Sequence, residues 1–257
     1  MNFTSKRSWN SCSKSITIVG FGSLLSERSA RSTFPNLGNL RVVRVRGFQR
    51  VFAHPAAIFF EREIARLQTK EMASLCCFPS SSDEHSFLAV AFEVPVTDES
   101  QWLEFERREE EFELVDCEFE ELTPASVQGV EVEGDVHKVP QTGEGKPRSQ
   151  VKHGLICTQG SDELYIQKWG YSLFAQKYLS YGLGSIWNWS KLNSGILPCR
   201  LYLRHCVLAA TSLGIQQDFL SKTYLVDRTT TIQAYLETNP HVMQEELPLE
   251  LAERYGG

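Results

Sequence analysis

The chain has 257 residues, of which 42% are hydrophobic and 23% are charged, and its formal net charge is −6 at pH 7. This composition is typical of a globular protein, and the length suits one large domain or one domain with a substantial extension. The negative net charge argues against a nucleic-acid partner. No apolar run approaches the ~20 residues that a membrane-spanning helix needs, so no membrane partner is predicted either.

Seven cysteines are spread along the chain without a C-x-x-C pair, which argues against a disulfide framework and against a zinc site. This pattern indicates a reducing compartment, and we predict a cytoplasmic protein. Residues 1–15 are rich in serine and asparagine, lack acidic residues and precede no apolar h-region, so they are not a secretory signal. We expect a disordered tail there; the alternative is a weak transit peptide, which would direct the chain to a plastid.

The stretch from Ile16 to Leu25 is typical of a strand that runs into a glycine turn. Gly20 and Gly22 allow the turn to take positive φ and let its N–H groups approach a ligand closely. Bunched N–H groups of this kind can bind an anion or a carboxylate, although an ordinary strand-to-helix turn is the alternative. Dinucleotide binding is not expected, because the third glycine of that fingerprint would fall at Leu25.

The chain up to about residue 158 contains mostly predicted strands, with short helices between them. A short helix is predicted over 26–34, residues 56–71 are ambiguous, and a flexible loop is predicted over 140–150. A further helix begins after Thr97 or Asp98, either of which can cap it. Apolar runs and alternation predict strands over residues 40–53 with a break at Gly47, 72–78, 86–95, 112–122, 130–138 and 154–158.

Two further patterns complete the predicted α+β architecture. The arginines of the second predicted strand region are interpreted as a solvated strand face, with a basic substrate-steering patch as the alternative; they are Arg41, Arg44, Arg46 and Arg50. From about Ser161 the pattern becomes helical, and helices are predicted over residues 164–181, 198–214, 218–224 and 229–237.

Glutamates crowd residues 104–121, and most of them are interpreted as a solvated acidic surface. Glu109 is the exception, because helical spacing places it in the middle of an apolar stripe formed by Trp102, Phe105 and Phe112. The same spacing points Glu111 the opposite way. A carboxylate that faces a core is costly unless it has partners or a chemical role, and burial makes it a better general base. A buried glutamate paired with an arginine is the alternative.

Two motifs together resemble one family. Val19-Gly-Phe-Gly-Ser-Leu24 resembles the YGSL loop of the γ-glutamylcyclotransferase superfamily, which includes the ChaC-like and AIG2-like proteins. Arg107-Arg-Glu-Glu-Glu-Phe-Glu-Leu-Val115 resembles the RRE-x-x-Y segment that carries this family's catalytic glutamate. The order and the separation of the motifs match, and the resemblance covers about residues 16–158. Residues 227–235 resemble the tail of plant proteins with the same front half.

The resemblance implies a small mixed β-barrel with flanking helices over residues 16–158, preceded by the tail 1–15. A helical C-terminal extension over 159–257 would pack on this domain. The family implies an enzyme of the transferase or lyase type, acting in glutathione metabolism, that releases 5-oxoproline from a small γ-glutamyl compound. It requires no cofactor and no metal.

Residue by residue, the resemblance makes Glu109 the base that takes a proton from the substrate's α-ammonium and then returns one to the leaving amine. Phe21 and Phe112 stand where the family usually has tyrosine. Backbone amides of the loop would bind the carboxylate of the γ-glutamyl group or the developing oxyanion. The resemblance assigns this loop to Phe21, Gly22, Ser23 and Leu24.

Two alternatives stay open. The absent tyrosine hydroxyls and the long extension favour a non-catalytic relative, in which the barrel binds a small ligand or a protein and the C-terminal helices dock a partner. Another reaction at the same site, such as one on a γ-glutamylamine, is the third hypothesis.

Overall fold

The computed structural model describes residues 15–80, 85–95, 99–122 and 151–256. Three predicted segments lie outside these ranges: residues 1–14 of the predicted tail 1–15, the whole predicted strand 130–138 and the whole predicted loop 140–150. Among the described residues, no helix combines the length and the apolar character that crossing a membrane would require.

The described strands are short to medium in length and occur mostly before residue 160. In chain order they are β1 (Ser15–Gly20), β2 (Gly38–Arg46), β3 (Phe48–Pro55), β4 (Glu71–Pro79), β5 (Ser86–Pro95), β6 (Glu113–Glu121), β7 (Val151–Thr158), β8 (Leu197–Pro198) and β9 (Thr223–Tyr224). The α-helices are α1 (Glu27–Arg31), α2 (Ala57–Glu61), α3 (Glu99–Arg108), α4 (Asp162–Trp169), α5 (Tyr171–Lys177), α6 (Arg200–Ser212), α7 (Gln216–Ser221), α8 (Ile232–Thr238) and α9 (Ala252–Tyr255).

Five of these strands close into a barrel in the order β1, β5, β2, β6, β7, with β7 pairing back onto β1. The β1–β7 pair is parallel, with Ile18 opposite Leu155, and the other four pairs of the ring are antiparallel. Because the ring is closed, each of these five strands pairs with a neighbouring strand on both sides. The predicted α+β fold with a small mixed β-barrel and flanking helices is confirmed.

The sheet continues beyond the barrel through β4, β3 and β9. β4 runs parallel to β7, β3 is antiparallel to β4, and β9 is parallel to β3. The short β8 adds to β4. Because β8 and β9 come from the C-terminal third of the chain, that third extends the same sheet, and the division at residue 158 stays a prediction.

The predicted helices of the C-terminal third are mostly confirmed, with two corrections. The helix predicted over 164–181 breaks at Gly170, whose φ of +90° is outside helical space, into α4 and α5. The helix predicted over 218–224 ends early at Ser221, because Thr223 and Tyr224 pair with β3 as β9. The strand pairing with β3 is a long-range contact that local periodicity does not reveal.

The arginines of β2 and β3 differ in burial. The side chains of Arg41 and Arg46 are 20% and 52% exposed, and their guanidinium groups pair with Glu121 (2.6 Å) and Glu120 (3.0 Å) of β6. Arg50 is fully buried, so its interpretation as part of a solvated face is wrong. The reason is that α7 and β9, from the C-terminal third, cover this part of β3.

The Arg50 guanidinium joins β3, β5, α7 and β9. Burial lowers its pKa to about 10, so it stays charged at neutral pH. Such a group is tolerated only where its donors and its charge are matched by neighbours. Its neighbours are Leu88 O (3.0 Å), Thr223 Oγ1 (2.7 Å), Asp218 Oδ1 (3.7 Å) and the rings of Phe87 (4.7 Å) and Phe219 (4.5 Å).

His54 of β3 is also fully buried, between aromatic rings. Its imidazole stacks on Trp187 at 4.5 Å and meets the edge of Phe112 at 4.8 Å. Neither ring nitrogen has a hydrogen-bond partner among the described residues. Burial lowers the pKa of His54 to about 3, so the side chain is neutral in the folded protein over most of the pH range.

Replacing Arg50 by methionine is expected to lower the free energy of unfolding by about 3 kcal/mol, because Leu88 O and Thr223 Oγ1 lose their buried donor. Urea denaturation at neutral pH measures the change. Arg46→Met is the matched control, since that exposed ion pair contributes less than about 1 kcal/mol. Equal losses in the two variants would contradict this account of Arg50.

The buried imidazole of His54 predicts acid sensitivity. The unfolded chain binds a proton at His54 below pH ~6.5, whereas the folded protein binds it only near pH 3, so stability falls as the pH drops through this interval. The loss is about 1.4 kcal/mol for each pH unit. Between pH 7 and pH 4.5, wild type should therefore lose about 2 to 3 kcal/mol more than His54→Phe in urea denaturation. Identical losses would show that His54 does not contribute.

Candidate active site

The first wall of the site is the loop after β1, where Ser23–Leu25 form a 3₁₀ turn. Gly20 and Gly22 could adopt positive φ, but neither does, and φ of Gly22 is −123°. Close packing explains the glycines instead. A Cβ at position 20 would lie 2.5 Å from the Cβ of Leu24, and one at position 22 would lie 2.6 Å from the hydroxyl of Tyr202.

The backbone of this loop presents amides at the start of the turn. The N–H of Leu25 donates to Gly22 O at 3.0 Å and is the first amide to bond inside the turn. The amides of Ser23 and Leu24 precede that bond, as the first N–H groups of any helical turn do. Such groups suit a carboxylate or an oxyanion.

The second wall is the acidic turn, residues 109–111, which follows α3 directly. The N–H of Glu109 donates to Phe105 O at 3.0 Å, and the N–H of Phe112 donates to Glu109 O at 3.0 Å, so the chain makes one further turn before β6. Glu109 therefore keeps the face of the fully buried Phe105, and its side chain is 12% exposed. The Cys157 thiol lies 3.8 Å from its Oε2.

Arg108 connects the two walls. Its Nε pairs with Glu109 Oε1 at 3.2 Å, and its side chain is 8% exposed. Its two terminal nitrogens donate to groups of the glycine loop and of α1. The acceptors are Ser23 Oγ (3.0 Å), Ser29 O (2.6 Å), Ser29 Oγ (2.9 Å) and Thr33 Oγ1 (2.8 Å).

All five sequence-predicted site residues line one cavity of about 60 Å³. The glycine loop and Glu109 thus meet in space, although their roles stay predictions. Within the part of the chain that the structure describes, there is no cluster of three or more His, Cys, Asp or Glu side chains that could hold a metal ion. The cavity is lined by Val19, Gly20, Phe21, Gly22, Ser23, Leu24, Ala56, Ile58, Phe59, Ser74, Leu75, Arg108, Glu109, Glu111, Phe112, Cys157, Tyr202 and Tyr255.

Glu111 corrects the sequence-based interpretation, which pointed it away from the core. It is 6% exposed and lines the cavity beside Glu109. Its Oε1 accepts from the Tyr178 hydroxyl at 2.6 Å and from the Ala57 N–H at 3.1 Å. The helical spacing fails here because α3 ends at Arg108, so the direction of each later side chain is set by the turn.

Glu110 is also buried, at 9% exposure, so the solvated acidic surface does not extend over the whole acidic turn. Its carboxylate pairs with Lys177 of α5 at 2.6 Å, and its carbonyl accepts from the Trp169 indole of α4 at 3.1 Å. Burial raises the pKa of Glu110. The C-terminal third of the chain therefore holds this turn in place.

Sequence reasoning missed two tyrosines in the cavity wall. Tyr202 comes from α6 and Tyr255 from α9, and both are buried. Phe21 and Phe112 lack hydroxyls, but the cavity is lined by these two tyrosines from other elements. The only available signal was the apolar spacing of α6, which marks its buried face without showing what it contacts. The four-residue α9 gives no periodic signal.

Arg108→Gln is expected to lower the free energy of unfolding by about 3 kcal/mol, because the glycine loop, α1 and the carboxylate of Glu109 lose a shared cation. Thermal or urea denaturation measures this. Arg107→Gln is the matched control: the neighbouring arginine is exposed, and its loss should cost less than about 0.5 kcal/mol. If the two variants are equally stable, Arg108 does not connect the walls as described.

No protein-family model matches the chain, and neither does any curated protein. Among solved structures, a glutathione-specific γ-glutamyl cyclotransferase from yeast is 14% identical, over 90% of this chain and 96% of that chain, with a TM-score of 0.48. An uncharacterized protein from Homo sapiens is 12% identical over 64% and 85% of the two chains, with a TM-score of 0.37. A protein described as γ-glutamyl cyclotransferase is 11% identical over 63% and 84%, with a TM-score of 0.37. The solved structures that this chain is similar to thus include proteins described as γ-glutamyl cyclotransferases.

Proposed function

We propose that this protein is a γ-glutamylcyclotransferase-like enzyme that releases 5-oxoproline from a small γ-glutamyl compound. The observation that supports this proposal most directly is that Glu109 and the loop residues Phe21–Leu24 line the same cavity. The cation next to Glu109 is Arg108, at 3.2 Å, and it is itself part of the cavity wall. The Glu109 carboxylate therefore borders the cavity, and so does the arginine with which it pairs.

The loop binds the γ-glutamyl group. Its backbone amides at Ser23 and Leu24 lie at the start of a 3₁₀ turn and suit a carboxylate or the oxygen that becomes negative in the transition state. The Ser23 hydroxyl accepts a hydrogen bond from Arg108 at 3.0 Å and thereby positions the loop, while the nucleophile of the proposed reaction is the substrate's own amine. The apolar ring of Phe21, which is 6% exposed, closes one side against water.

Glu109 acts as the general acid and base. A free glutamate (~4.3) and an α-ammonium (~8) differ by almost 4 pKa units, or about 5 kcal/mol, so a carboxylate in water is a poor base for this proton. The base must therefore be shielded from water. The Glu109 side chain is only 12% exposed, and its ion pair with Arg108 orients it. It accepts a proton from the attacking amino group and returns one to the leaving nitrogen.

The reaction is an intramolecular attack of the α-amine on the γ-carbonyl. Because nucleophile and electrophile belong to one molecule, the protein gains most by holding the substrate in the rotamer that brings them together. Side chains of this chain do the proton transfer, and no cofactor is part of the proposed reaction.

The six described cysteines are buried free thiols, which supports a reducing compartment, and we propose the cytoplasm.

The test is the release of 5-oxoproline from glutathione, γ-glutamyl dipeptides and γ-glutamylamines. Wild type should release it from at least one class, and Glu109→Gln should reduce kcat by ~10²- to 10⁴-fold, as expected when a general base is removed. Chromatography of the products measures both.

Glu113→Gln provides the matched control, since that carboxylate is exposed and does not line the cavity. It should keep the wild-type rate and melting temperature, whereas Glu109→Gln should still unfold cooperatively but at a lower temperature, because it loses the ion pair with Arg108. If wild type releases no 5-oxoproline from any compound of the panel, the proposal is wrong. That result would favour the alternative, a non-catalytic relative that binds a small ligand or a protein.

A further inference from the structure

The stoichiometry of the proposed reaction, on which this inference rests, requires two proton transfers from the attacking nitrogen. That nitrogen enters as an ammonium with three protons and ends as a ring amide with one. The bond between the α-nitrogen and the γ-carbon forms, and the bond between the γ-carbon and the leaving nitrogen breaks. The leaving nitrogen starts as an amide N–H and ends as an ammonium, so it gains the same two protons. Glu109 carries one of them.

A second carboxylate borders the same cavity. Glu111 is 6% exposed and lines the wall together with Glu109. The two donors to its Oε1 are neutral, namely the Tyr178 hydroxyl at 2.6 Å and the Ala57 N–H at 3.1 Å. Glu109, in contrast, pairs with a guanidinium at 3.2 Å. Two carboxylates in one cavity are thus held by different kinds of partner.

The charged and titratable groups around Glu111 come from its own turn and from α2, α4 and α5. Lys177 of α5 is the nearby cation, but its Nζ lies 2.6 Å from Glu110 and 3.6 Å from Glu61. Burial, followed by the charge of Glu110, raises the pKa of Glu111 to about 7, although its hydrogen bonds from Tyr178 and Ala57 oppose the rise. Tyr165 of α4 lies within electrostatic reach of both glutamates, and its own pKa is raised well above the ordinary value.

We propose that Glu111 accepts the second proton of the attacking nitrogen, so that Glu109 and Glu111 form a catalytic pair in which each carboxylate carries one proton. The pKa of Glu111, about 7, is only about one unit below that of an α-ammonium (~8), whereas the pKa of a free glutamate is almost four units below it. Glu109 passes its proton to the leaving nitrogen as the C–N bond breaks. Glu111 then gives its proton to the released amine, and both carboxylates return to their starting state.

Glu111→Gln tests the proposal directly. The glutamine oxygen can still accept from Tyr178 and Ala57, so the packing is kept, but the side chain no longer accepts a proton. The expected result is a fall in kcat of ~10²-fold or more at pH 7 for the 5-oxoproline-releasing substrate of wild type. The acid limb of the kcat profile, which wild type should show near pH 7, should also disappear.

Glu110→Gln is the companion variant, because Glu110 does not line the cavity, its charge raises the pKa of Glu111, and a glutamine oxygen can still accept from Lys177. Removing that charge should lower the pKa of Glu111. The acid limb should therefore move to lower pH, while the maximal kcat stays within about threefold of wild type. A purely structural role of Glu111 would not move this limb. If Glu111→Gln does not fold by circular dichroism, the direction of the Glu110→Gln shift decides alone.

The two proposals fail in different ways. The cyclotransferase proposal stands if wild type and Glu113→Gln are active and Glu109→Gln is not. If Glu111→Gln then keeps the wild-type kcat and pH profile, Glu111 carries no proton. An acid limb that does not move in Glu110→Gln would overturn the role of Glu111 in the same way. If wild type releases no 5-oxoproline from any substrate class, the reaction is wrong, and the proton pair falls with it.

Discussion

The site depends on one guanidinium group, that of Arg108, which ties the glycine loop to the acidic turn. It lies at the last position of α3, pairs with Glu109 at 3.2 Å and donates to Ser23 at 3.0 Å. The loop follows β1 and the turn precedes β6, so the two segments are far apart in the chain and come together only when the barrel closes. A planar cation with several donors suits this position, because it satisfies acceptors in different directions at once.

The C-terminal third of the chain is part of the site as well as of the sheet. Lys177 and Tyr178 bind the two carboxylates that follow Glu109, at 2.6 Å each, and thereby fix the acidic turn from behind. Tyr202 and Tyr255 line the cavity itself. Arg50 fastens the same region to the barrel through contacts with β5, α7 and β9. The C-terminal third is therefore integral to the geometry around the cavity, and it adds the short strands β8 and β9 to the sheet.

Three consecutive glutamates of identical chemistry have three different environments. Glu109 faces the cavity beside a guanidinium, Glu110 pairs with a lysine of α5, and Glu111 accepts hydrogen bonds from neutral donors. Desolvation raises the proton affinity of a carboxylate, and a nearby cation opposes that effect. The sequence shows three acids in a row and indicates, through the apolar stripe, that one of them faces inward. It gives no information on the partners of Glu110 and Glu111, because Ala57, Lys177 and Tyr178 are distant in sequence.

The sequence by itself determined the parts of this protein that depend on neighbouring residues. Alternation and β-branching indicated most of the strands that form the barrel, and the spacing from Phe105 to Glu109 indicated an inward carboxylate, because periodicity reports which face an element buries. Only the tertiary structure decided which buried groups meet: Arg50 beneath the last third of the chain, Glu111 in the cavity wall, and Tyr202 against Gly22. These contacts join segments that are distant in sequence, and their geometry is set by barrel closure and helix packing, on which a local pattern carries no information.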